Sequence, residues 1–128
     1  MDKKILIIAA ILGITAIILG AFGAHGLKKV LSMDQLATFE VGVRYQMYHA
    51  LFLLFIGTFS FLDEKERTVI FYLTLVGVLF FSGSIYFLAT STITHLKTKF
   101  LGPITPIGGV FLVSAWGYLF YSILTKKQ

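Results

Sequence analysis

The chain has no cysteine. That excludes disulfides, thiol chemistry and a cysteine-ligated metal, and it removes redox usage as a guide to compartment. Charge is scarce too. Only 13% of the 128 residues are Asp, Glu, Lys or Arg, against 57% hydrophobic, and the mean hydropathy is +0.87. A soluble domain of this size has too much surface for its volume to hide that much apolar side chain. The natural solvent is lipid. Metal-protease spacing of the HExxH kind is missing, as is a nucleophile–base pair. Basic residues are not interleaved with aromatics in the manner of a nucleic-acid binder. These absences predict a non-enzymatic membrane protein with no cofactor, no metal site and no nucleic-acid partner. The net charge of +5 lies at the ends of apolar runs, where it reads as topology and contact with lipid headgroups.

Four apolar runs are present, at about 5–22, 45–62, 69–90 and 107–124. The first is 18 residues without a charge, roughly 27 Å as a helix, about one hydrocarbon core. A signal peptide is set aside because the run exceeds the usual apolar region of about 7–15 residues. Its small residues Ala9, Gly13, Ala16, Gly20 and Ala24 also form a helical stripe suited to close helix contact in lipid. Ser32 and Gln35 predict a capping box that starts a helix running from Met33 as far as Leu62. The start of that helix is amphipathic, with Leu36, Phe39 and Val43 on one face, and reads as an interfacial extension of the second span. Asp63 to Arg67 reads as a charged, solvated hairpin. Thr105 is placed to cap the last helix, with Pro106 at its first position. The expected fold is an all-α, four-helix transmembrane bundle in a single domain, 1–128. It is multi-pass in the bacterial plasma membrane, with membrane lipids as partners and homo-oligomerisation open to it. Lys3, Lys4, Lys65, Arg67, Lys126 and Lys127 share one side, against Lys28, Lys29, Lys97 and Lys99, with Arg44 if it counts as a loop charge. That imbalance leans towards termini inside.

Alternating spans bring four polar patches to one membrane face: GAFGAHG at 20–26, RYQMYH at 44–49, FSGSIY at 81–86 and GPITPIGG at 102–109. Ionisable groups in or beside spans are costly and so are candidates for function. The candidate cluster is His25, Glu40, Arg44, Tyr45, His49, Ser84 and Thr105. Glu40 and Arg44, four apart, can pair on one helix face, as can Tyr45 and His49 on another. Glu40 and His49 are about 2.5 turns apart, on opposite sides of a straight helix, which weakens a joint catalytic or metal role. Two readings compete. In the structural one, Glu40 and Arg44 neutralise each other and His25 bonds a free carbonyl at its helix end. Gly83 is then a close-packing point, Trp116, Tyr118 and Tyr121 are anchors, and His95 is solvated. In the functional one, free N–H groups at the Thr105 end, beside Gly108 and Gly109, form a small-anion or carbonyl site towards which His25, Arg44 and Ser84 converge. A lipid-, ligand- or partner-contacting protein fits both readings, with a small-solute or ion transporter or channel as the alternative.

The four motifs GAFGAHGL (20–27), YQMYHAL (45–51), FSGSIY (81–86) and LGPITPIGG (101–109) resemble, in order and spacing, the DUF423 (UPF0382) family of small four-helix bacterial membrane proteins. The eukaryotic transmembrane protein 256 is similar. Pro103 departs from the small residue often found there. The resemblance implies an integral membrane protein of four spans. It supplies no activity and no catalytic residue.

Overall fold

The computed structural model describes residues 2–95 and 99–127, and every described element is helical. Lys97, counted above among the basic residues of the second face, lies outside the described residues. Four long helices, α1 (Asp2–His25), α2 (Met33–Thr58), α3 (Glu64–Ala89) and α5 (Ile104–Thr125), are joined by short connections. The last connection holds the single-turn helix α4 (Ser91–Thr94), which His95 closes in the left-handed region at φ 57°. At about 1.5 Å per residue the long helices measure roughly 33–39 Å. Among the described residues, three stretches are long and apolar enough to cross a membrane: Asp2–Lys29, Glu64–Ala89 and Lys99–Thr125. α2 is not among them, because Asp34, Gln35, Glu40, Arg44, Gln46 and His49 dilute it.

The ends of α2 and α3 depend on side chains. Ser32 Oγ accepts the Gln35 N–H and Gln35 Oε1 accepts the Ser32 N–H, the box expected from the sequence. The far end corrects an expectation: α2 stops at Thr58 instead of Leu62. Phe59 leaves the helix in an extended conformation, and Arg67 covers the turn that follows. Its Nη1 donates to the carbonyls of Phe59 (3.1 Å) and Leu62 (2.7 Å), and its Nε lies 3.1 Å from the Asp2 carboxylate. Asp63, Glu64 and Lys65 are solvated as expected, but residues 64–67 already form the first turn of α3, and Glu66 and Arg67 are partly covered. Asp63 caps α3 reciprocally with Glu66, and Arg67 folds beneath the turn. Thr105 is not a cap either. α5 begins at Ile104, two residues earlier than expected, after Pro103 and with no side-chain cap.

α1 packs on α2, α2 on α3, and α3 on α5. The small-residue stripe of α1 lies along α2. Ala9 and Ala16 are buried, Gly13 faces Ala50 and Gly20 faces Val43, while Ala24 is exposed. Gly57 of α2 lies against Leu6, and Gly23 against Phe39, so the antiparallel contact runs the whole length of α1. The main core gathers Ile5, Leu53, Ile56, Ile70, Phe71 and Leu112. A smaller one, Leu27, Leu31, Phe39 and Ala89, closes the other end, with Leu36 and Val43 packed against it as the amphipathic pattern predicts. Near the N-terminus Lys4 Nζ donates to Tyr72 Oη at 2.9 Å, tying α1 to α3.

Two glycines set the closest approaches. A methyl group at Gly108 would sit 2.3 Å from the Phe81 backbone nitrogen, so α3 and α5 meet backbone to backbone there. At Gly42 it would sit 2.8 Å from the Tyr86 ring. Gly83, expected as a close-packing point, has nothing within 4 Å of the equivalent position. Its neighbours Ser82 and Ser84 make the interhelical bonds.

Candidate functional site

A polar side chain inside a hydrocarbon-facing bundle has no water to bond, so it must find a partner on its own or a neighbouring helix. Gln46, in the middle of the YQMYH segment, is buried and fully engaged. Its Nε2 donates to the Leu12 carbonyl (2.9 Å) and to Thr15 Oγ1 (2.6 Å), and its Oε1 accepts from Tyr86 Oη (2.6 Å). One amide thus joins α1, α2 and α3. One turn earlier, Ser82 Oγ donates to the Gly42 carbonyl at 2.7 Å. That contact needs the close approach that Gly42 permits.

His49 is the second junction. Its Nδ1 lies 2.7 Å from the Tyr45 carbonyl, and its Nε2 lies 3.2 Å from Trp116 Nε1. A carbonyl only accepts and an indole N–H only donates. The ring therefore carries its proton on Nδ1 and accepts at Nε2, which commits both nitrogens. Trp116 also lies over Phe52, with ring centroids 4.1 Å apart, so it ties α5 to α2. The third junction is Ser84 with Thr105, hydroxyl to hydroxyl, between α3 and α5.

The expected cluster is thus divided. His49 and Ser84 are buried, Thr105 is partly buried, and each bonds across helices. Tyr45 is 39% exposed and lines a lateral groove of about 600 Å³ with His49, Phe81, Gly109, Val113 and Trp116. Glu40 and Arg44 are both exposed, and no ion pair joins them among the described residues. His25 is exposed at the end of α1 and joins none of the three junctions. Gly108 receives the backbone of α3, whereas Gly109 meets only the Phe81 ring, 3.8 Å from the equivalent position. Gln46, Tyr86, Thr15 and Trp116 were not selected as site residues from the sequence. The available signal was Gln46 itself, an amide set in an otherwise apolar stretch. No group of three or more His, Asp or Glu side chains able to hold a metal occurs among the described residues.

A second groove, of about 450 Å³, lies at the start of α2 between Lys28 and Glu40. At the opposite end of the molecule Lys126 Nζ bonds Glu66 and lies 3.7 Å from Asp63. The Glu66 N–H and, less strongly, Lys126 hold the Asp63 carboxyl below its ordinary range, although partial desolvation opposes them. The bond to Glu66 raises Lys126.

The family model described as "protein of unknown function (DUF423)" matches residues 19–109, a stretch that contains Gln46, His49, Ser82, Ser84, Tyr86 and Thr105. A UPF0382 membrane protein of Staphylococcus saprophyticus is 41% identical over 89% of this chain and 91% of its own length. One from Haemophilus influenzae is 34% identical over 100% of this chain and 99% of its own. The UPF0382 inner membrane protein YgdD of Escherichia coli is 33% identical over 99% and 94%. No solved structure matches the chain. With the family model covering most of the chain and these relatives aligned nearly end to end, the chain belongs to the DUF423, or UPF0382, family of membrane proteins.

Proposed function

We propose that this is a non-enzymatic, multi-pass protein of the bacterial plasma membrane that crosses it four times. Its buried polar residues lock the helices, and its surface groups on the same side contact lipid. One observation carries the reading. Gln46, His49, Ser82 and Ser84 each bond to another helix, and His49 and Ser84 also bond a carbonyl of their own helix, an arrangement that favours a locking role over acid–base or transport chemistry. Three stretches are apolar enough to cross, and α2 lies between α1 and α3 along its length. A helix packed between two crossing helices crosses with them, its polar groups turned towards its neighbours. The inner-membrane name of the Escherichia coli relative supports the plasma membrane.

The absence of cysteine makes the topology easy to test, because each introduced cysteine is unique. A membrane-impermeant maleimide should label Lys3→Cys and Lys65→Cys from one side and Lys28→Cys and Thr92→Cys from the other. Labelling of Lys28→Cys and Lys65→Cys from the same side refutes the crossing of α2. Proteoliposomes should show no flux over a broad panel of ions and metabolites. A reproducible flux that His49→Ala or Arg44→Ala abolishes refutes the structural role and establishes transport.

A further inference from the structure

The groove at the start of α2 is lined by Lys28, Leu31, Met33, Leu36, Ala37 and Glu40. It holds one cationic and one anionic side chain, both exposed, with no ion pair joining them among the described residues. Between them lies an apolar floor. Leu31 is buried, Leu36 half-buried, and Met33 protrudes with 88% of its surface exposed. Depth follows from helix geometry. The formally uncharged part of α2 begins at Tyr45, and Glu40 lies five residues earlier, about 7.5 Å along the axis. The headgroup layer on each side of the hydrocarbon is about 5–8 Å thick. Lys28, in the turn Leu27–Lys29 before α2, lies at the same end of the molecule. Both charges therefore belong to the headgroup layer.

We propose that this groove binds the headgroup of a zwitterionic aminophospholipid, a phosphoethanolamine, with its phosphate on Lys28 and its ammonium on Glu40. The inference rests on the membrane placement of α2 proposed above. The charge pattern selects this headgroup over the others. An anionic glycerol headgroup satisfies Lys28 but brings its phosphate near Glu40 and offers the carboxylate only neutral hydroxyl donors. A choline headgroup carries the positive charge but no N–H to donate. Phosphoethanolamine supplies an acceptor for Lys28 and N–H donors for Glu40, both charge-assisted. Its acyl chains run inward past Glu40, towards the uncharged part of α2 that begins at Tyr45. Lys29 and Arg44 are exposed nearby but do not line the groove, so they add positive field without changing the pairing.

The test is lipid retention measured by native mass spectrometry on the full chain, with phosphatidylethanolamine, phosphatidylglycerol and phosphatidylcholine of matched acyl chains as probes. The unmodified protein should retain phosphatidylethanolamine over the other two. Glu40→Gln should lower that retention about tenfold, the loss of one charge-assisted bond, and leave phosphatidylglycerol unchanged or better held. Lys28→Ala should weaken both. Preference for phosphatidylglycerol in the unmodified protein, or an unaltered lipid preference in Glu40→Gln, overturns the proposal. Both residues are exposed, so the variants should fold, and a far-ultraviolet dichroism melt checks it. The membrane placement fails separately. A nitroxide on Val41→Cys, four residues or about 6 Å before Tyr45, should report headgroup depth by collision with oxygen and a nickel chelate. A label fully in water refutes the placement of α2, whereas headgroup depth with no lipid preference refutes only the lipid assignment.

Discussion

Among the glycines, Gly108 has the least room for an added methyl group. The new carbon would lie 2.3 Å from the Phe81 nitrogen and 2.8 Å from the Phe80 carbonyl carbon and Phe81 Cα. All three are backbone atoms of a continuous helix, so no rotamer change relieves them. Ordinary contact begins at 3.4 Å, and 3.4 less 2.3 is a separation of 1.1 Å that α3 and α5 must open. A gap of about 0.5–1 Å already forfeits a quarter to a half of each dispersion contact across an interface. Overpacking costs typically 1–3 kcal/mol, and a rigid backbone clash belongs at about 3. Alanine returns about 1 kcal/mol of helix propensity over glycine. The net expectation for Gly108→Ala is a loss of about 2 kcal/mol, roughly 30-fold in the folded-to-unfolded ratio. The control is Gly117→Ala on the same helix, where nothing lies within 4 Å. It should be neutral or stabilised by up to about 1 kcal/mol. The assay is equilibrium unfolding in mixed dodecyl maltoside and dodecyl sulfate micelles, followed by circular dichroism. A Gly108→Ala protein as stable as the parent, or a Gly117→Ala protein that is the worse of the two, refutes the backbone-contact reasoning.

The same assay checks the polar junctions. Gln46→Leu removes three bonds and leaves the Tyr86 hydroxyl without its acceptor, so it should lose about 1 kcal/mol, within the range of interhelical bonds in membrane proteins. A Gln46→Leu, Tyr86→Phe double variant should lose less than the sum of the singles, and strict additivity would contradict the bond. Trp116 is the chain's one tryptophan, is half exposed and lines the lateral groove, so bromine on lipid acyl chains should quench its emission. His49→Ala should change that quenching by freeing the indole, and an unchanged profile counts against the His49–Trp116 bond. Stability should also respond to pH at both extremes. Asp63 has its folded pKa depressed by the Glu66 N–H, so its contribution is present above its unfolded value of about 3.9 and is lost as pH falls through the folded one. Lys126 has its folded pKa raised by Glu66, so its contribution is present below about 10.4 and is lost as pH rises through the folded value. Asp63→Asn should flatten the acid limb of the melting profile and Lys126→Met the alkaline one. A profile that neither substitution alters refutes the assignment.

How much of this was legible in the sequence depends on whether a feature is local or needs a partner. The Ser32–Gln35 box and the Leu36, Phe39, Val43 face could be read because their physics is contained within a few residues of one helix. The i, i+4 spacing of Glu40 and Arg44 permits a pair, but spacing only places two groups on one face. At an exposed site the pair offers about 0.3–0.5 kcal/mol, too little to hold two long side chains together. Gly83 and Gly108 are alike as letters. One faces open space and the other the backbone of a neighbour, a difference decided by how two helices cross. Arg67 was legible as a charge in a turn, whereas its three contacts depend on the chain doubling back. α2 joins these points. The polar residues that dilute its apolar character fall into two sets. Glu40 and Arg44 face outward near its start, and Gln46 and His49 face inward on its neighbours. A peripheral helix would have nowhere to satisfy an inward glutamine and an inward histidine. Their presence on α2 is a consequence of its packing against both α1 and α3, with α5 within reach of His49 through Trp116. The feature that most weakens the hydropathy signal of α2 thus marks it as the helix that joins α1 to α3.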